Sequence, residues 1–108
     1  MAAMHEHLFD VQAAKRRLEE ANGGYEIVHE SPGLEVGVYV LVAPEPDRQQ
    51  PHEDDEVYIV LEGSGTLQVE DEEIDLAEGQ AMFVAAQAEH RFTAYERLSL
   101  LVIFTRPT

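Results

Sequence analysis

The sequence predicts an all-β domain, a sandwich or barrel of antiparallel strands, preceded by one short N-terminal α-helix. Three observations carry this. From Gly24 onward, apolar residues recur with a period of two in short runs, separated by turn signals such as Ser31-Pro32-Gly33 and Glu62-Gly63-Ser64-Gly65. Helical spacing occurs once, ahead of those runs. Strands and helices do not alternate, which excludes a parallel dinucleotide-binding fold.

The helix is expected at 10–21, where Leu8, Val11, Ala14, Leu18 and Ala21 recur at helical spacing. Asp10 is a suitable N-cap and Asn22-Gly23-Gly24 a strong stop. Tyr25–Glu30 reads as a short strand. In Leu34–Ala43, valines 36, 38, 40 and 42 share one face, while Gly37, Tyr39 and Leu41 share the other. A strand buried on both faces reads this way. Residues 44–51 form a polar loop with three prolines. Further strands follow at Val57–Leu61, Thr66–Val69, Ile74–Leu76, Ala81–Ala85, His90–Tyr95 and Leu98–Phe104. Glu70–Glu73 is read as a hairpin tip. In all, about eight short strands are expected.

The chain has 108 residues, 44% of them hydrophobic and 27% charged, which suits one globular domain with a real core. The division expected is a lead and helix over 1–24 and a β-barrel over 25–108. Acidic residues number 22 against 7 basic ones, for a formal charge of −15. Such a surface repels phosphate backbones and anionic lipid, so neither nucleic acid nor membrane is an expected partner. No apolar run approaches the length of a membrane span. Met1–Leu8 lacks the pattern of a signal peptide. Cysteine is absent, which excludes disulfides, thiolate metal sites and a cysteine nucleophile. A cytoplasmic location is the expectation.

Chemistry must come from histidines and carboxylates. His5 and His7 fall in the polar lead, and His29 ends a short strand near a turn. His52 and His90 have better company. His52 closes the proline-rich loop four residues before Glu56, and His90 opens a late strand. Two imidazoles and one carboxylate form the minimum facial set for a divalent metal with open coordination positions. Gln50 offers an amide oxygen as a fourth donor. In an ideal strand, residues four apart are roughly 13 Å apart. The chain must therefore bend within Glu53-Asp54-Asp55 if His52 and Glu56 are to meet. Alternation then places Tyr58 and Val60 on the face of Glu56, and Phe92 and Ala94 on that of His90. A pocket lined by Tyr58, Val60 and Phe92 is the expected setting. The acidic run Glu70–Asp75 lacks the alternating ligands and central glycine of a calcium loop.

These residues resemble the cupin superfamily, in particular its small single-domain members. The family's first motif is a glycine, five residues, His-x-His, three or four residues, Glu, six residues and Gly. In the stretch 44–63, His52, Glu56 and Gly63 fall on that pattern; Pro44 stands for the first glycine and Gln50 for the first histidine. In the second motif Gly79 and His90 match, while Ala85, Gln87 and Ala94 replace a proline, a glycine and an asparagine. The resemblance covers residues 34–105. It implies a double-stranded β-helix, or jelly roll, with a metal inside one end of the barrel. It further implies His52, Glu56 and His90 as ligands, with Gln50 in the fourth place.

The function so implied is metal-dependent chemistry on a small molecule, dioxygenase-like or of isomerase or lyase type, using Fe, Mn, Ni or Zn. Tyr58 is the candidate to donate a proton or hydrogen bond to substrate; an apolar pocket tyrosine is the alternative. A non-catalytic module binding a metal or small ligand is the competing reading, and a relict site a third. A homodimer is expected, because small jelly rolls cover exposed strand edges by pairing.

Overall fold

A computed structural model of the chain describes residues 7–47 and 52–105. Helix α1, Val11–Glu20, is followed by six strands among the described residues: β1 (Gly24–Ser31), β2 (Leu34–Val42), β3 (Asp55–Val69), β4 (Glu72–Ala77), β5 (Ala81–Val84) and β6 (His90–Thr105). All pairings are antiparallel, in the order β1-β2-β6-β3-β4, with β5 also on β3. The result is a double-stranded β-helix. No helix of the described residues is long and apolar enough to cross a membrane.

The helix begins where Asp10 Oδ1 accepts from the Ala13 amide at 3.0 Å. It ends where Asn22 takes φ 64° and the Gly23 amide donates to the Leu18 carbonyl at 2.8 Å. Ala14 and Leu18 bury against Val38 and Val40, forming a small core on the outer face of the sheet. Lys15 pairs with Glu19 at 3.0 Å and also with Glu62, fastening α1 to β3. As expected for a strand covered on both faces, β2 turns Val38 and Val40 toward the helix and Leu41 toward the barrel interior.

The eight expected strands are corrected to six, because two pairs fuse. Residues 55–69 form one strand and 90–105 another. Glu62-Gly63-Ser64-Gly65 does not end the strand; it bends it. The register between β3 and β6 shifts between Val60 and Glu62, between Gly63 and Gly65, and between Thr66 and Leu67. At Gly63, φ is 90°, and a Cβ would collide with the Arg97 carbonyl oxygen. Only glycine tolerates that bulge. One consequence is a change of phase: Glu56, Tyr58 and Val60 are buried on the even numbers, but Leu67 on the odd ones. Bends of this kind let two long strands close a barrel over Leu41, Tyr58, Val60, Leu67, Leu76, Val84, Phe92, Leu98, Leu100 and Val102. The hairpin tip is also shorter than expected, since β4 already begins at Glu72.

Candidate metal centre

Three elements bring His52, Glu56 and His90 together. Glu56 lies on the inward face of β3, between register partners Val84 and Phe104. The bend expected before it is present at Glu53 and Asp54. There the Asp54 carbonyl accepts from His52 Nδ1–H at 3.1 Å. The backbone of His52 is held in turn by the Gln87 amide, which donates to its carbonyl at 2.7 Å. Asp55 Oδ1 accepts from the Ala86 amide at 2.9 Å. His90 is the first residue of β6, and its Nδ1–H donates to the Ala88 carbonyl at 2.8 Å.

Both imidazoles thus carry their neutral-form proton on Nδ1, fixed by a backbone carbonyl. This outer hydrogen bond orients a metal-binding histidine and leaves Nε2 as the donor atom. His52 Nε2 lies 3.1 Å from Glu56 Oε1, and His90 Nε2 lies 3.0 Å from the same oxygen. One donor atom from each residue falls within 4.8 Å of the other two. The Glu56 and His90 side chains are fully buried, while that of His52 keeps 26% of its exposure. Glu56 Oε2 and His90 Nε2 are buried without a hydrogen-bond partner.

Acceptor atoms therefore converge with no N–H among them while both rings are neutral. Buried lone pairs in that arrangement repel unless a cation lies between them. A proton is one such cation. Burial pushes the His90 imidazolium down, but the adjacent Glu56 carboxylate, the Ala88 carbonyl and the charge of Asp47 outweigh it, so the His90 pKa lies above its ordinary value. A divalent metal is the other, and the donor set of two imidazoles and one carboxylate suits it.

The walls are aromatic. His52 meets His90 and Phe104 edge-on, with ring centroids at 5.1 and 4.9 Å. Tyr58 lies 5.0 Å from Phe92 and 6.2 Å from His90 and is fully buried. Tyr58, Val60 and Phe92 thus line the interior as the alternation predicts. Ala94 is exposed. Gln50 and His5 lie outside the described residues. His7 is exposed, and His29 stacks on Phe9 beside Ser31, apart from the buried trio.

One interior residue went unnoticed in the sequence. Asp47, 4% exposed, accepts from the Tyr39 hydroxyl at 2.7 Å and from the Phe92 amide at 2.8 Å. Burial, and then Asp47, push the Tyr39 hydroxyl pKa well up. Tyr39 stood on a recognised inward face, but nothing local marked Asp47 within its polar loop.

Barrel and trio together define a jelly roll with a candidate metal site at one end. The cupin domain family matches residues 38–104, and this chain belongs to that family. An uncharacterized protein of Streptomyces coelicolor, SCO3923, is 39% identical over 75 residues, covering 68% of this chain and 71% of that protein. The crystal structure of TT1209 from Thermus thermophilus superposes with a TM-score of 0.78 at 29% identity, over 93% of this chain and 98% of that one. The structure of FeII HppE superposes with a TM-score of 0.65 at 25% identity, over 74% of this chain but 48% of the longer HppE chain.

Proposed function

We propose that this chain is a metal-dependent enzyme acting on a small molecule, with His52, Glu56 and His90 holding one divalent ion. The observation that carries the reading is the convergence of His52 Nε2 and His90 Nε2 on Glu56 Oε1, with buried His90 Nε2 and the second Glu56 oxygen lacking hydrogen-bond partners. When bound, such an ion supplies Lewis acidity or redox chemistry at coordination positions the three side chains leave open. Gln50, two residues before His52, would add a neutral amide oxygen and tune the choice among Fe, Mn, Ni and Zn. The iron in the HppE structure supports iron as the first candidate.

The chain's own residues do the rest. Nδ1–H bonds to the Asp54 and Ala88 carbonyls hold both imidazoles in the donor tautomer. Phe92, Phe104 and Val60 keep the interior apolar, which strengthens every charge interaction inside it. Tyr58 would donate a hydrogen bond or proton to a bound small molecule. Dioxygenase-like chemistry is favoured, with isomerase or lyase chemistry as its neighbour. The protein would act in the cytoplasm as a homodimer, the exposed Tyr25 and Ile27 on edge strand β1 supporting such pairing.

Elemental analysis after dialysis against a weak chelator tests the metal. About one equivalent is expected in the wild type, or after adding back Fe, Mn, Ni or Zn. His52→Ala and His90→Ala should each lose it while circular dichroism stays unchanged. A full equivalent in either variant would refute the ligand assignment.

A further inference from the structure

We propose that Asp47 is a positioning residue of the metal centre, tying β2 and the residues just after it to the strand that begins with His90. This rests on the reading of His52, Glu56 and His90 as the metal-holding set.

Strand β6 runs past the end of its neighbour β2. Strand β2 pairs with β6 only from Arg97 to Thr105. The first part of β6, which carries His90, extends beyond the end of β2, and among the described residues no strand pairs with it on that side. Backbone groups left there need other partners. The segment after β2 lies against this part of β6: the Ala43 amide donates to the Glu96 backbone carbonyl at 2.8 Å, and the Tyr95 side-chain hydroxyl donates to the Glu45 carbonyl. At its far end the Asp47 carboxylate takes the place of a strand carbonyl, with Oδ2 accepting the Phe92 amide at 2.8 Å.

Phe92 is the next inward residue after His90. Its ring packs on Tyr58, which in turn neighbours His90. The other Asp47 oxygen accepts from Tyr39 on β2 at 2.7 Å. One buried carboxylate, five residues past the end of β2, therefore joins β2 to the start of β6. Without it, a buried amide and a half-buried hydroxyl lose their acceptors, and the start of β6 loses its tie to β2. Outer hydrogen-bond partners of metal sites typically cost 10–100-fold in affinity when removed. The route from Asp47 to the donor atoms runs through the Phe92 backbone to His90, two residues earlier on the same strand.

Cobalt(II) titration of the full chain tests this, reading affinity and the visible d–d spectrum, with circular dichroism as the fold control. Asp47→Ala should keep the fold, bind cobalt about 10–100-fold more weakly and show an altered d–d band. Asp47→Asn should rescue binding to within about threefold, because its amide oxygen can accept the Phe92 amide while its NH2 donates to a turned Tyr39 hydroxyl. If Asp47→Ala does not fold, Tyr39→Phe carries the test: removing one leg should weaken cobalt binding by about threefold or more. Wild-type affinity in a folded Asp47→Ala, or in Tyr39→Phe when it carries the test, overturns the positioning role alone. So does an Asp47→Asn as weak as Asp47→Ala, which would assign the effect to charge. A wild type that takes up no cobalt overturns the metal reading and the positioning role with it.

Discussion

Glu56→Gln should raise the stability of the metal-free protein and, in the same molecule, sharply reduce its stabilisation by metal. In the wild type, Glu56 Oε1 faces His52 Nε2 at 3.1 Å and His90 Nε2 at 3.0 Å. With both rings neutral, all three atoms are acceptors. Glutamine keeps the shape and places an NH2 group where its two N–H bonds can reach the two imidazoles. Two new buried hydrogen bonds, each worth roughly 0.5–1.5 kcal/mol net, give about 1–3 kcal/mol. For a domain of this size that is a rise in melting temperature of about 4 °C or more.

The gain depends on pH. The folded pKa of His90 lies above its unfolded value, so its contribution to wild-type stability is complete below about pH 6.5 and is lost as pH rises through the folded value. The advantage of glutamine should therefore be greatest near pH 8.5 and shrink at pH 5.5, where His90 already carries its proton in the wild type. Metal has the opposite effect. At 100 times its dissociation constant, it should stabilise the wild type by about 2.7 kcal/mol and the variant much less. The assay is thermal melting of chelator-stripped proteins at both pH values, with and without cobalt. A variant that melts below the stripped wild type at pH 8.5, or that responds to cobalt as the wild type does, would refute the reasoning.

Three further outcomes are expected. Metal must displace the His90 proton, so cobalt affinity should rise with pH through a range centred above the ordinary histidine value; isotherms that do not change between pH 6 and 8.5 would contradict this. Gly63→Ala should destabilise the fold by more than about 1 kcal/mol in chemical denaturation, since φ is 90° and the new Cβ meets the Arg97 carbonyl; an unchanged midpoint would remove the bulge from its role in bending β3. Light scattering at micromolar concentration should give the mass of two chains, and a single-chain mass would exclude the homodimer.

The sequence was most readable where a local rule was decisive. Asp10 and Asn22-Gly23 bound the helix through capping chemistry that acts within a few residues. In β2, apolar residues on both faces announced a strand covered on both sides. Spacing alone made His52, Glu56 and His90 a candidate set, and resemblance to cupins made it a specific one. Glu62–Gly65 misled because glycine serves turns and bulges alike. Whether a strand ends or bends there depends on its neighbour β6, which lies far onward in the chain. Asp47 was invisible for the same kind of reason. One of its two hydrogen-bond partners, the Phe92 amide, is 45 residues away, so its link to β6 exists only once the barrel has closed.

The most direct test is a crystal structure of the metal-loaded protein with diffraction measured at the absorption edge of zinc. The expected result is one strong anomalous peak inside the barrel, about 2.0–2.2 Å from Nε2 of His52, Nε2 of His90 and a carboxylate oxygen of Glu56. An empty interior in saturated crystals, with zinc held only by surface carboxylates, would contradict the proposed centre.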